Sequence, residues 1–272
     1  MGRRSRGARR PFRAAFLALL FILPAGIARR APAQAPAVSL RDLLQRAGKQ
    51  IELFQQQFPA TKCTEKLLQV KFGQKGNIIS RQQTEADYLI LMSMEESNLV
   101  VEESRIVTKS PDKKTNASLL VSGGFSTMIL IFHPLYQSSF EFMLMPPESE
   151  GGDAMVHLRF QHVPGTRSTA ALRMEKRDLP LDLKGDAWIL PESATIVRIV
   201  AELSAPLPDV GLKMFNADVR YGPIRFSTAE NAYWLPTTAA IEVTTNRQHW
   251  RNTHQFEEYR RFSVSTGSVI NK

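Results

Sequence analysis

The sequence predicts a mainly β (α+β) fold, in which one large antiparallel sheet curls around a single N-terminal amphipathic helix. Apolar residues recur at helical spacing between residues 39 and 58, and after residue 59 the apolar period changes from 3.6 to 2. Roughly nine to eleven short extended runs then follow, bounded by turn residues. Because no helices of about 10–15 residues alternate with these runs, antiparallel pairing is favoured.

The first 33 residues have the three parts of an export signal. The basic stretch Met1–Arg13 precedes an apolar run of 14 residues, Ala14–Ile27, and Ala31-Pro32-Ala33 supplies small residues for cleavage after Ala33. The run is shorter than the roughly 20 residues that a spanning helix needs. We therefore expect a signal peptide over 1–33, an unstructured spacer over 34–38 and a periplasmic protein.

Three alternatives for this leader stay open. The first is cleavage after Ala28, and the second is an uncleaved N-terminal anchor. The run Arg9-Arg10-Pro11-Phe12 also matches the core of a twin-arginine signal, although Arg13 stands where that signal has an apolar residue.

Most of the positive charge lies in this leader. The chain carries a formal net charge of +9, and subtracting the eight arginines of residues 1–33 leaves +1 on the remaining 239 residues. This near-neutral remainder gives no electrostatic argument for a nucleic-acid partner. Cys63 is the only cysteine, which excludes an intramolecular disulfide, so the fold must depend on its core.

The helix begins at Ser39, with Asp42 near its positive end, and Pro59 ends it. Its apolar stripe consists of Leu40, Leu43, Leu44, Ala47, Ile51, Phe54 and Phe58. In the first extended run, Leu68, Val70 and Phe72 share one face, and Glu65, Gln69 and Lys71 share the other.

Two later segments have clear patterns. Residues 126–133 predict a short buried helix that stops before Pro134. Leu235–Val243 and Trp250–Phe256 alternate as the two arms of a final hairpin. A sheet of so many strands must twist and curl. One amphipathic helix is too narrow to cover it, so either side chains fill the concave side or a cavity remains there.

The order of these elements resembles a known group of envelope proteins. Gly185-Asp186-Ala187-Trp188-Ile189 leads into Ile196-Val197-Arg198-Ile199, Trp234-Leu235-Pro236 precedes the final hairpin, and Trp250–Phe262 closes the chain. Together with the exported start and the helix at Ser39–Phe58, these segments are similar to the periplasmic lipoprotein carriers of the LolA/LolB type and outer-membrane lipoprotein-sorting proteins.

The resemblance covers residues 38–265 and implies an unclosed barrel whose mouth is crossed by helices. It implies one LolA-like half-barrel domain over 39–265, followed by a tail over 266–272, and a role in holding acyl chains. The chain departs from the carriers in two respects. It has an insertion near Pro146–Asp153, and it lacks the lipid-attachment cysteine of the outer-membrane acceptor.

No catalytic, metal or cofactor motif is found in the sequence. The histidine pairs His157/His162 and His249/His254 are five residues apart, which places each pair on opposite faces of a strand. There is no Gly-x-Ser-x-Gly elbow, phosphate loop or dinucleotide fingerprint. Glu102-Glu103 and Glu257-Glu258 are interpreted as solvated surface charges. We therefore expect no cofactor, no metal and no enzymatic activity, although residues assembled from distant segments would escape this search.

Three functional hypotheses follow. The first is a monomeric periplasmic carrier of a hydrophobic ligand, such as the acyl chain of a lipid or lipoprotein. Its predicted lining residues are Leu44, Ile51, Phe54, Val70, Phe72, Leu158, Phe160, Ile241 and Phe256. The second is a non-catalytic envelope scaffold that binds another envelope protein and has a filled core, with no cavity above a few waters. The third is a hydrolase with a dispersed site, which predicts convergent polar residues with perturbed titration inside a cleft.

Overall fold

The described residues contain thirteen strands, two α-helices and three 3₁₀ segments. The computed structural model describes residues 39–95, 98–110, 119–150, 152–174 and 177–262. The helices are α1 (Leu40–Gln57) and α2 (Pro134–Gln137), and the 3₁₀ segments are Phe58–Ala60, Phe125–Phe132 and Pro208–Val210. The strands are β1 (Thr61–Phe72), β2 (Ile78–Glu95), β3 (Asn98–Lys109), β4 (Phe140–Leu144), β5 (Glu148–Glu150), β6 (Asp153–His162), β7 (Ala171–Met174), β8 (Arg177–Pro180), β9 (Leu183–Ile189), β10 (Ile196–Leu203), β11 (Leu212–Ile224), β12 (Tyr233–Thr245) and β13 (His249–Arg261).

Eleven of these strands form one antiparallel sheet that is not closed. Its order is β3-β2-β1-β13-β12-β11-β10-β9-β6-β4, with β5 paired to β6, while β7 and β8 form a separate ribbon. The first strand, β1, lies beside the last, β13, over the whole length of both. The sequence-based prediction of a large, unclosed antiparallel sheet is therefore confirmed.

The sheet curls around α1. Phe58, at the end of the helix, lies against Tyr88 of β2 with ring centroids 6.5 Å apart, and α1 also contacts β4 and β12. In a flat sheet, β2 and β4 would be eight strand spacings apart, or roughly 38 Å. An 18-residue helix is only about 27 Å long. The sheet must therefore bend, and the face turned toward α1 is its concave face.

The helix α1 follows the sequence pattern closely. Ser39 precedes its first residue, Asp42 lies in its first turn, and a 3₁₀ turn through Pro59 follows its last residue. The positions of the predicted apolar stripe that are buried are Leu43, Ala47, Ile51, Phe54 and Phe58. Packing of this stripe on the concave face is the main reason for the position of the helix.

A second helical segment, Phe125–Phe132, lies beside α1 in the concavity and is called the inner 3₁₀ helix below. Seven of its eight residues are buried. The hydroxyl group of Tyr221 accepts a hydrogen bond from the Ile129 amide at 3.0 Å and donates one to the Ser126 carbonyl at 3.2 Å. The predicted short buried helix is therefore present, as a 3₁₀ helix. The sequence did not predict α2, which follows at once because Pro134 fits a first helical turn.

The final hairpin, β12–β13, has the predicted alternation, with Leu235, Ala239 and Ile241 buried. The predicted signal peptide over 1–33, the spacer over 34–38 and the tail over 266–272 lie outside the described residues. Within the described part of the chain, no helix combines the length and the hydropathy required to span a membrane.

Candidate functional site

A cleft of about 330 Å³ opens between the unpaired edge strand β3 and the inner 3₁₀ helix, and we call it the edge cleft. Its third wall is the segment that leads into β7. Its lining consists of Leu99, Val101, Glu103, Gly124, Thr127, Leu130, Tyr136, Ser168, Thr169, Ala170 and Ala171. The cleft lies at the point where the sheet fails to close, since β3 has a hydrogen-bonded neighbour on only one side.

Strand alternation builds the apolar wall of this cleft. Leu99, Val101 and Glu103 are spaced by two residues and therefore point to the same, concave face of β3. On β2, Met92 lies opposite Val101 and Met94 lies opposite Leu99, so these methionines extend the same face. Met94 is 51% exposed, so this face has an exposed apolar side chain beside Leu99.

The polar groups of the edge cleft are nearly all engaged within the protein. The Ser168 hydroxyl donates to the carbonyls of Ala170 and Leu181 at 2.9 and 2.8 Å. The Glu103 carboxylate accepts hydrogen bonds from three donors. The Thr169 hydroxyl oxygen, in contrast, is shielded from solvent and has no hydrogen-bond partner among the described residues.

Behind the edge cleft, a group of charged and polar side chains lies on the concave face. We call this group the buried polar network; its members are Glu65, Tyr88, Glu103, Arg105, Ser122, Asn252 and His254. Its centre is Glu65 of β1, which is 1% exposed. Arg105 donates to both Glu65 carboxylate oxygens, at 2.6 and 3.1 Å, and to Glu103 at 2.5 Å. The Arg105 guanidinium also lies over the Tyr88 ring, 4.8 Å from its centroid.

These contacts keep the Glu65 carboxylate ionised. Burial acts to raise the pKa of Glu65, but hydrogen bonds from His254 and Arg105 outweigh burial and hold this pKa below its ordinary value. Burial acts to lower the pKa of Arg105, and the two carboxylates outweigh it and raise that pKa. A charge in the interior is tolerated here because each partner is paired and hydrogen-bonded.

The network continues from Glu65 to the loop before the inner 3₁₀ helix. His254 Nδ1 lies 2.8 Å from Glu65 Oε1, and His254 Nε2 lies 2.9 Å from the Ser122 hydroxyl oxygen. The Asn252 amide group donates to the same hydroxyl oxygen at 2.7 Å and to the Leu120 carbonyl at 2.9 Å. Residues from β1, β13 and this loop therefore converge on one point of the concave face.

Sequence reasoning missed this network. The strand pattern assigned Glu65 to the polar face of β1, and Glu103 was interpreted as a solvated charge, yet both lie on the concave face. The interpretation of Glu103 was therefore wrong. Leu67 lies opposite His254 on the concave side while Leu68 lies opposite Thr253 on the other, so β1 has apolar residues on both faces. Periodicity alone could not identify its buried face.

Most of the predicted lining residues lie in the core and not around the edge cleft. Ile51, Phe54, Leu158, Phe160, Ile241 and Phe256 are buried in one hydrophobic cluster, and Leu44 packs against its side. Aromatic contacts fill this region, including Phe54 against Tyr221 and Phe160 against Phe132. On this side of the concavity the space under α1 is occupied by the protein's own side chains. Ligand binding by these residues stays a prediction.

Val70 and Phe72 lie on the convex face. Phe72 pairs with His249, the two rings stack at 4.5 Å, and Val70 lies opposite Arg251. Asn252, which reaches the Ser122 loop, has the opposite orientation on β13. This placement corrects the assignment of Val70 and Phe72 to the concave face.

The sequence also singled out a histidine pair and one thiol, and the structure shows the surroundings of each. His157 stacks on Trp188 on the convex face, whereas His162 packs against Phe140, so the predicted opposite orientation of this pair is confirmed. No group of three or more His, Cys, Asp or Glu side chains within the described ranges is placed to hold a metal ion. Burial raises the pKa of the Cys63 thiol to about 12, so the thiol is protonated at neutral pH.

A second depression, of about 490 Å³, lies on the convex face. It forms where small side chains such as Ala240 stand between longer ones. Its charged residues are paired with one another, Arg251 with Glu242 at 2.5 Å and Arg198 with Asp218 at 2.7 Å. We prefer the edge cleft because its walls come from three separate elements and because it lies at the unpaired edge of the sheet.

Comparisons with known proteins return no match to a protein-family model and no similar curated protein. Solved structures do match. A LolA superfamily protein from Nitrosomonas europaea has a TM-score of 0.39 and 10% identity, over 87% of this chain and 99% of that one. A putative outer membrane lipoprotein-sorting protein domain from Vibrio parahaemolyticus has a TM-score of 0.42 and 9% identity, over 84% and 93%. A DUF1329 family protein from Desulfovibrio piger has a TM-score of 0.39 and 9% identity, over 85% and 94%. These matches include the group of proteins that the sequence resembles.

Proposed function

We propose that the protein is a periplasmic carrier that holds the acyl chain of a lipid or lipoprotein in the edge cleft. The observation that supports this proposal is a cleft with apolar side chains in its walls, at the open side of a curled sheet. Leu99, Val101 and Leu130 contribute apolar side chains to its walls. The periplasmic location rests on the export-signal pattern of residues 1–33.

The size of the edge cleft sets the expected affinity. Its volume of about 330 Å³ lies at the lower end of the range for ligand pockets. If a methylene group needs about the 30 Å³ of a water molecule, roughly ten fit. Burying ten methylene groups would contribute about 8 kcal/mol, and about half of that if one side of the chain stays in water. Before the cost of association is subtracted, these energies correspond to dissociation constants of roughly 1 µM to 1 mM, so we expect modest affinity.

The same volume favours a carrier over the scaffold hypothesis. The scaffold hypothesis gives no reason for a cleft at the open edge of the sheet, and the edge cleft has room for roughly ten waters. The core under α1 is filled, as the scaffold hypothesis expects, but the filling stops at the open edge. We therefore place the ligand at β3 and not under α1.

Two measurements test the proposal. Protein purified under native conditions is extracted with organic solvent, and the extract is analysed by mass spectrometry for acyl lipids. Binding of a fluorescent fatty acid is then titrated for the wild type and for Ala171→Trp, which places an indole in the edge cleft. Ala240→Trp is the matched control because it places the same ring in the convex depression.

We expect a co-purifying acyl lipid, and an affinity at least tenfold lower for Ala171→Trp than for Ala240→Trp. Equal affinity of the two variants would place the binding site elsewhere. No extracted lipid together with no binding of the fatty acid would refute the carrier function.

A further inference from the structure

Three residues that are far apart in the sequence form one hydrogen-bonded chain on the concave face. The Ser122 hydroxyl oxygen lies 2.9 Å from His254 Nε2, and His254 Nδ1 lies 2.8 Å from the Glu65 carboxylate. A hydroxyl group, an imidazole ring and a carboxylate in this order are the parts of an activated serine nucleophile, which is recognised by geometry and not by sequence position.

The proton positions in this chain follow from its partners. Because Glu65 is an ionised carboxylate that can only accept, His254 Nδ1 must carry a proton and donate it. In a neutral ring, His254 Nε2 is then the free lone pair, to which the Ser122 hydroxyl can donate. Arg105 holds Glu65 from the other side through two hydrogen bonds, so the carboxylate is fixed in the orientation that this tautomer needs.

The surroundings of Ser122 add two further observations. Ser122 is 6% exposed, but its neighbour Val121 is 94% exposed and Gly123 is exposed, so the loop that carries Ser122 lies at the surface. The Asn252 side-chain carbonyl oxygen is fully buried beside Ser122 and has no partner among the described residues. In that same part of the chain, the Gly123 amide makes no hydrogen bond. The exposed Gly123 amide is therefore a donor available next to the hydroxyl group.

We propose that Ser122 is a nucleophile toward acyl esters, with His254 as its general base and with Glu65 and Arg105 as positioning residues. The Gly123 amide is the donor for the oxyanion, the role that the amide after the nucleophile has in other serine hydrolases. This proposal departs from the sequence-based expectation of no enzymatic activity and corresponds to the dispersed hydrolase site of the third hypothesis.

The chemical step is an ordinary acyl transfer. The Ser122 proton moves to His254 Nε2 while the hydroxyl oxygen forms a bond to the ester carbonyl carbon. The bond from that carbon to the alcohol oxygen then breaks, and the alcohol leaves with the proton from His254. Water attacks the resulting acyl-serine in the same way, releases the carboxylic acid and restores Ser122.

The edge cleft indicates the class of ester. Glu103, which bonds Arg105, lines this cleft, and so does Gly124, two residues after Ser122. An acyl chain bound along Leu99 and Val101 would therefore have its ester end near the Ser122 loop. This assignment of the substrate rests on the proposed function, whereas the reactivity of Ser122 does not.

Covalent labelling tests the nucleophile directly. Folded wild-type protein is incubated with a small fluorophosphonate, digested, and mapped by mass spectrometry. We expect an adduct on Ser122 and none on Ser139, a buried serine whose hydroxyl makes no hydrogen bond to a histidine among the described residues. Absence of an adduct on Ser122 at saturating probe would overturn the proposal, and this result needs no variant that has to fold.

Variants test the roles of the other residues. His254→Gln should slow labelling of Ser122 on the order of 100-fold or more, because general-base catalysis is lost. Ser139→Ala should leave the rate unchanged. Glu65→Gln should move the pH at which the labelling rate is half-maximal, which a purely structural role for Glu65 would not do. Equal labelling rates in the wild type and in folded His254→Gln would refute the role of His254 as general base.

The acyl-chain length of a test ester distinguishes the proposed carrier function from the proposed nucleophile. Hydrolysis of p-nitrophenyl octanoate is compared with that of the acetate, in the wild type and in Ala171→Trp. If Ser122 is labelled but octanoate has no advantage over acetate, the nucleophile stands and the assignment of the edge cleft to the substrate fails. If fatty acid binds but Ser122 is not labelled, the carrier function stands and the nucleophile fails.

Discussion

Replacement of Arg105 by methionine tests the energetics of the buried polar network. Methionine keeps much of the apolar stem of Arg105 but removes the cation, which Glu65 and Glu103 share and which lies over the Tyr88 ring. Glu65 is 1% exposed and Arg105 is about a quarter exposed, so the carboxylate cannot regain full hydration in the variant. Removing one partner of a buried pair typically costs about 3–5 kcal/mol.

That loss is a large share of the roughly 5–15 kcal/mol by which a domain is stable. For a domain of about 230 residues it corresponds to a fall in melting temperature of roughly 6–20 °C. The loss should be measured by urea unfolding at pH 7, followed by tryptophan fluorescence. Lys66→Met is the matched control, because Lys66 pairs with Glu257 at the surface, where an ion pair contributes little.

The pH dependence gives the sharper test. In the wild type the pKa of Glu65 lies below its ordinary value of 4.5, so its contribution to stability is present above pH 4.5 and is lost as the pH falls through the folded-state value. Without Arg105, we expect burial to outweigh the remaining hydrogen bond from His254 and to raise the pKa of Glu65 above its ordinary value. The variant therefore regains stability as the pH falls from 7 toward 4.5, and the difference between the two proteins narrows.

A stability difference that stays constant between pH 7 and pH 4.5 would refute this reasoning, because it would assign the loss to packing. A double-mutant cycle with Glu65→Gln gives an independent value. We expect Arg105→Met and Glu65→Gln together to cost less than the sum of the two single changes.

Three further outcomes are expected. Gly185→Ala should prevent stable folding, measured as loss of soluble protein, because a Cβ at Gly185 would overlap the Val200 carbonyl oxygen. Tyr221→Phe should lower the free energy of unfolding by about 1–3 kcal/mol in urea titrations, since the buried Ile129 amide loses its acceptor. The Cys63 thiol should resist alkylation by iodoacetamide at pH 8 in the folded protein, because burial raises its pKa to about 12. It should react after unfolding in urea. Rapid alkylation of the folded protein would contradict this prediction.

The elements that sequence pattern predicted well are those whose surroundings are uniform. The stripe of α1 faces a single apolar surface, so the spacing of Leu43, Ala47 and Ile51 was sufficient to predict its buried side. In the final hairpin, Ala239 and Ile241 alternate in the same way against the core. In both cases every residue of one face lies in the same environment, so the spacing of apolar residues indicates which face is buried.

Pattern failed where a strand meets different environments along its length. The concave face of β1 carries Cys63 and Glu65 toward the core, while Val70 and Phe72 pack on the convex face. Glu65 is stable in the interior only because Arg105 and His254 reach it from β3 and β13. Nothing within β1 itself could indicate partners that lie 40 and 189 residues away.

The sequence by itself determined the class of fold, the amphipathic helix around which the sheet curls, and the alternation of the last hairpin, because each depends on neighbours within a few residues along the chain. Only the tertiary structure decided where the sheet stays open, that the concavity under α1 is filled, and that Glu65, Ser122 and His254 meet. These features depend on strand order and register, which bring distant residues together by many weak long-range contacts that no local pattern encodes.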